Sequence, residues 1–164
     1  MQAYRRAAAA WIDYPMRARE EPIGVGSDDE VRLAVPARPE FVGLARVTAA
    51  GLASRLGFTF DQVEDLRLAI DEMCFGLTGT KGKDGILELR FLLSPEGLTV
   101  HGEGNFSPPG PVHLSELSKV ILDALVDEHS ISDGADGPRF RLMKKRQRKK
   151  IVVDELSIGE VSEP

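Results

Sequence analysis

Thr59-Phe60-Asp61-Gln62 leaves this chain fewer options than any other segment. A threonine followed three residues later by glutamine is a capping box. The Thr59 hydroxyl accepts from the N–H of Gln62, and the Gln62 amide reaches back to the N–H of Thr59. Phe58 and Val63 flank the box at hydrophobic-staple positions. From there Val63, Leu66, Ile70, Met73 (or Cys74) and Leu77 recur at helical spacing as far as Gly79. Whatever else the chain does, it must bury one face of a helix of about five turns.

The flanking patterns say what could cover that face. Val31, Leu33 and Val35 alternate with Arg32 and Ala34, a strand stopped by Pro36. Pro39 opens a helix whose expected inward stripe is Phe41, Leu44, Val47 (or Thr48), Leu52 and Leu56, closed by Gly57. After the capped helix, Gly82-Lys83-Asp84-Gly85 is a turn, and Ile86–Leu93 and Gly97–His101 read as a hairpin around Ser94-Pro95-Glu96. Asn105–Val112, with three prolines and Gly110, is a loop. Leu114, Leu117, Val120 or Ile121, and Leu125 predict a third helix, and Glu128–Ser132 with Arg139–Met143 a final hairpin. Two adjacent helices beside antiparallel strands predict an α+β fold, a two-layer α/β sandwich. The expected division is an extension over 1–29, poor in packing residues and so flexible, a folded domain over 30–146, and a charged tail over 147–164.

Charge narrows the function. Residues 139–150 hold eight bases and no acid, while the rest of the chain holds 13 bases against 26 acids, a net of −13. An acidic body repels nucleic acid and suits a basic protein surface, so no direct nucleic-acid binding is expected. The strip itself reads either, at its start, as edge-strand protection or as a contact for an acidic partner or for nucleic acid. Over Lys144–Lys150 the sequence gives no reason to choose. A single cysteine, Cys74, excludes an internal disulfide. The apolar stretch near the start runs only from Ala7 to Ile12, and no run approaches the roughly 20 residues of a membrane span. The expectation is a cytoplasmic protein with no membrane partner.

Few residues offer chemistry. Glu72 and Gly76 lie one turn apart on the capped helix, on a face shared with Leu68. A carboxylate among apolar neighbours could serve as a base, although Asp71 and Glu72 also fit as ordinary solvated helix residues. His101, His113 and His129 fall on different elements without ligand-like spacing, so no metal site is expected. Cys74 reads as a small buried hydrophobe.

The segment Val31–Glu40, the helix after it, and Val63-Glu64-Asp65-Leu66-Arg67-Leu68-Ala69-Ile70-Asp71-Glu72 together resemble the RsbW-type anti-sigma factors, small members of the GHKL ATPase superfamily. Leu122–Asp127 resembles that family's later helix, and the resemblance covers about residues 30–146. It implies a Bergerat-type sandwich that holds ATP between helices and sheet, binds a sigma factor, and phosphorylates a serine on an anti-sigma factor antagonist. It also implies Glu72 as catalytic base and Glu72, Gly76, Gly102 and Gly104 as cofactor-binding positions. A homodimer is expected as well.

The chain departs from that family where nucleotide is held. Gly76 stands where the family has a magnesium-binding Asn, and Gly102-Glu103-Gly104-Asn105-Phe106 stands where it has Asp-x-Gly-x-Gly. Leu114–Val120, the counterpart of its phosphate loop, has no glycine. The expected function is an anti-sigma factor acting by stoichiometric binding, with kinase activity weak or lost. Binding of ATP with magnesium stays open. Two alternatives remain: an active serine/threonine kinase of the antagonist, and a non-catalytic scaffold that binds another protein.

Overall fold

A computed structural model describes residues 29–108, 110–134 and 137–147. The expected extension, apart from Asp29, and the tail beyond Gln147 lie outside the described residues. Five antiparallel strands form one sheet: β1 (Asp29–Pro36), β2 (Gly85–Leu93), β3 (Gly97–Phe106), β4 (Glu128–Gly134) and β5 (Gly137–Lys145), in the order β1-β2-β3-β5-β4. Three helices cover one face: α1 (Pro39–Arg55), α2 (Phe60–Thr78) and α3 (Glu116–Leu125). This is the expected two-layer sandwich. No helix among the described residues is long and apolar enough to cross a membrane.

Strand alternation sorts the sheet into two faces. Val35, Leu87, Leu89, Phe91, Leu98, Val100, Phe140 and Leu142 point inward and are buried. They meet Leu66, Ala69, Ile70, Met73, Cys74 and Leu77 of α2 in one core. Each large side chain so buried contributes about 1.5–3 kcal/mol before the entropy of ordering the chain is set against it. The capping box forms as predicted, with Gln62 N–H to Thr59 Oγ1 at 3.3 Å and Thr59 N–H to Gln62 Oε1 at 3.1 Å. Gln62 is itself buried, and its amide donates to the Lys145 carbonyl at 3.1 Å, fixing the start of α2 to the end of β5.

Four expectations need correction. The inward stripe of α1 is Val42, Ala45, Ala49 and Ala53, whereas Leu44 and Val47 are 50% and 68% exposed. Small residues let α1 lie close against α2, and that contact sets the rotation of the helix against its larger apolar residues. On α3, Leu122 is fully buried while Leu117 and Val120 face solvent. Strand β3 continues past His101 to Phe106, because Gly102, Gly104 and Phe106 complete the inward alternation begun by Leu98 and Val100. Finally, the basic strip is neither one surface nor on an edge strand, since β5 pairs with β3 on one side and β4 on the other. Lys144 is only 8% exposed and donates to Asp65 Oδ2 at 3.0 Å and to the Leu125 carbonyl at 2.5 Å. Arg146 donates to the Leu56 carbonyl at 3.0 Å, closing the C-terminus of α1. Arg148, Lys149 and Lys150 lie outside the described residues.

Candidate functional site

The C-terminal half of α2 carries the two candidate helix residues. Glu72 is half-buried, and its carboxylate makes no hydrogen bond or ion pair among the described residues. Its neighbour Asp71 is engaged: Arg46 of α1 donates to Asp71 Oδ2 at 2.9 Å. Burial pushes the Asp71 carboxyl above its ordinary range, against the pull of Arg46, and its Oδ1 is buried without a partner.

One turn on, Gly76 is buried beneath a different part of the chain. The N–H of His113 donates to the Gly76 carbonyl at 3.0 Å. A Cβ at Gly76 would stand 2.9 Å from Ile131 Cδ1, 3.5 Å from Leu114 Cδ1 and 3.6 Å from the His113 carbonyl oxygen. The loop after β3 is therefore laid across the last turn of α2. Other ties hold it there: Ser107 N–H to the Asp84 carbonyl at 2.9 Å, Lys83 Nζ to the Gly110 carbonyl at 3.4 Å, and Val112 N–H to Asp133 Oδ2 at 3.3 Å. Lys83 Nζ also lies 5.0 Å from the centre of the Phe106 ring, a cation–π distance.

Gly102 and Gly104 sit on the inward face of β3, each under an aromatic ring. A Cβ at Gly102 would overlap the ring of Phe140, its register partner on β5, and one at Gly104 would overlap Phe106, two residues along the same strand. Both glycines let a ring approach the backbone more closely than any side chain would allow. The structure thus brings Gly76 together with Leu114 and Ile131, and the two strand glycines together with phenylalanines. Neither grouping presents side-chain oxygens.

At these three glycines no side chain offers the implied magnesium–nucleotide group a polar contact. Gly76 has no ligand atom, the space above it holds Ile131, and the volume over the strand glycines is filled by rings. Among the described residues no cluster of three or more His, Cys, Asp or Glu could hold a metal ion. At the other end of the loop system, a shallow polar depression of about 270 Å³ is lined by Arg38, Glu40 and Lys81–Asp84. His129 pairs with Asp123 at 2.8 Å, and Cys74 is fully buried with burial raising its thiol pKa well above the usual range. Sequence reasoning missed the ring-over-glycine packing. The signal was Phe106 itself, which replaces the last glycine of the family's box and completes a strand.

The chain matches no protein-family model. Among curated proteins it is similar to the serine-protein kinase RsbW of Bacillus subtilis strain 168, 39% identical over 121 residues that cover 61% of this chain and 76% of that protein. It is 48% identical over 130 residues to the RsbW of Bacillus velezensis, covering 66% of this chain and 81% of the relative. With the RsbW of Bacillus pumilus it shares 36% identity over 77 residues, about half of that relative's length at 48%. A sandwich of this layering, with the capped helix at its centre and identity of this extent across three quarters or more of two relatives, places the chain in the RsbW family.

Proposed function

We propose that this chain is an anti-sigma factor that regulates transcription by binding a sigma factor stoichiometrically, with a degenerate nucleotide site and kinase activity weak or lost. Family membership supports the partner class, a sigma factor and an antagonist that competes for it. The net charge of −13 outside residues 139–150 supports it too, since an acidic body speeds encounter with a basic DNA-binding surface. In this reading residues 30–146 form a GHKL-type binding domain of a cytoplasmic protein that pairs with a second copy. The observation that carries the kinase half is Gly76, which lacks an oxygen for magnesium and is covered by Ile131 and Leu114.

A second reading, an active ATP-dependent serine/threonine kinase of the antagonist, is favoured by Glu72. Its carboxylate is half-exposed and unengaged, as a base that accepts a serine hydroxyl proton must be. Calorimetric titration with ATP and magnesium, paired with pull-down against the sigma factors of its own cell, separates the two. The expected outcome is one sigma factor retained at moderate salt and no heat from ATP. Failure to retain any sigma factor sinks the proposal. Heat from ATP together with phosphotransfer that Glu72→Ala abolishes, while ATP binding survives, moves the conclusion to the second reading.

A further inference from the structure

Alternate residues of a strand face the same side of a sheet, so register reads its solvent face row by row. Arg32 of β1 stands opposite Arg90 of β2, Arg90 opposite His101 of β3, and His101 opposite Arg141 of β5. One row across four adjacent strands is thus Arg–Arg–His–Arg, ended by Ser130 on β4. The three arginine side chains are 57%, 44% and 40% exposed. Like charges placed directly opposite one another destabilise a strand pair, so such a row calls for carboxylates.

The carboxylates that answer it sit at its two ends. Glu30, on β1, is shared between Arg32 and Arg90, with Arg90 Nε at 3.2 Å. Glu128, on β4, takes Arg141 at 2.6 Å. The centre is unanswered: the His101 ring makes no hydrogen bond among the described residues. Burial first, then Arg141 and Arg90, hold its imidazole pKa below the ordinary value. The row is also narrow. Glu88, Glu103 and Arg139 form the row on one side, and Glu30, Leu92, Thr99, Met143 and Glu128 the row on the other.

Its length selects an occupant. With neighbouring strands about 4.8 Å apart, Arg32 and Arg141 are about 14 Å apart, and alternate side chains of an extended peptide recur about every 6.8 Å. Three alternate carboxylates therefore match the row: the outer two reach Arg32 and Arg141, sharing them with Glu30 and Glu128, and the middle one falls between Arg90 and His101. Guanidinium groups bind carboxylates through paired, charge-assisted hydrogen bonds. Duplex DNA carries a charge about every 1.7 Å over a front broader than this single row of bases.

We propose that the open face of the sheet is an interaction surface for an extended acidic segment of a partner protein, laid across β1, β2, β3 and β5 with carboxylates at alternate residues. The surface lies on the layer opposite the helices and stands independently of the function proposed above. The test is fluorescence anisotropy of a labelled peptide with glutamate at alternate positions, Ser-Glu-Thr-Glu-Thr-Glu-Ser, titrated with the full chain at low salt. Replacing two arginines (Arg90→Gln with Arg141→Gln) should weaken binding at least about tenfold, and the matching lysine pair, which keeps the charge but not the paired hydrogen bonds, should fall between. A control pair on other surfaces, Lys81→Gln with Lys119→Gln, should leave affinity within about twofold. If the glutamine pair does not fold, the His101 ring resonance of the unaltered chain decides, moving on peptide addition while that of His113 stays. The proposal is overturned by no binding at low salt, by equal loss in the control pair, by a still His101 resonance, or by tighter binding of a single-stranded oligonucleotide of equal charge.

Discussion

Strand β5 carries the same residue types on its two faces, and they do opposite things. Arg141 and Lys145 point to solvent, where Arg141 meets Glu128 in water. Lys144, between Lys145 and Met143, points inward and is held by a carboxylate and a carbonyl from two different helices. Strand β3 repeats the contrast with small residues: Gly102 and Gly104 lie dry beneath rings, while His101 and Glu103 stand on the wet side. The inner face is thus governed by shape and by complete pairing, the outer face by charge. One step along the chain changes which physics applies.

The sharpest way to break this contrast is to add one methyl group to the inner face. Gly102→Ala should destabilise the fold by about 3 kcal/mol, because the Phe140 ring it would overlap is itself buried and cannot rotate away without displacing its neighbours. The neighbouring change on the outer face, Glu103→Ala, should stay within about 0.5 kcal/mol. Urea unfolding of the two variants checks both. Comparable losses would mean that the ring-over-glycine packing carries no special weight.

The basic residues give the next largest difference. Lys144→Ala leaves Asp65 and the Leu125 carbonyl without their donor and should cost about 2–3 kcal/mol, less than for a fully buried pair because Asp65 is about a third exposed and can hydrate. Lys144→Met, which keeps the buried stem, should recover part of that loss in the same urea series. Arg141→Ala on the outer face should cost no more than about 0.5 kcal/mol, the usual worth of an exposed ion pair. If Arg141→Ala proves the more damaging, the inward lysine is dispensable and the two faces do not differ as argued.

Much of the layering was legible because it rests on local rules. The capping box, the staple and the stripe of α2 act within a few residues, and the alternation of β1 and β2 shows directly in the letters. What was not legible depended on neighbours distant in sequence. The apolar residues of α1 outnumber its alanines on any wheel, yet the alanines face inward, because α2 needs a close neighbour more than α1 needs to hide Leu44 and Val47. The basic strip looked continuous because its alternation becomes visible only once β5 is known to run to Lys145. At the candidate site, Glu72 and Gly76 could be placed on one helix face, but the cover over Gly76 comes from Leu114 and Ile131, about 40 and 55 residues away in the chain. The glycines of β3 carried the opposite signal to their role. The family resemblance implied cofactor-binding positions there, and in the sheet they are seats for phenylalanine rings.

The smallest expected effect separates the faces by pH. On the outer face, burial and the flanking Arg141 and Arg90 hold the His101 pKa below its ordinary 6.5. The unfolded chain therefore takes up the proton first, and stability should fall as pH drops through about 6.5 toward the lower folded-state value. Glu30 behaves as a second, more acidic group. Burial would raise its pKa, but Arg90 and Arg32 outweigh it and bring it below the ordinary 4.5, so its contribution is present above that pH and lost below it. Arg90 acts on both groups, by ion pairing on Glu30 and by its charge on His101, so Arg90→Gln should flatten both limbs of the stability–pH curve. The flattening near pH 6.5 should be partial, since burial, the largest cause at His101, remains. The Cys74 thiol in the core, its pKa raised by burial, stays protonated over the same range. Thermal melts of the native chain, His101→Gln and Arg90→Gln across pH 4 to 8 measure this directly. An unchanged limb near 6.5 in His101→Gln would show that the row of charges leaves its central histidine unperturbed.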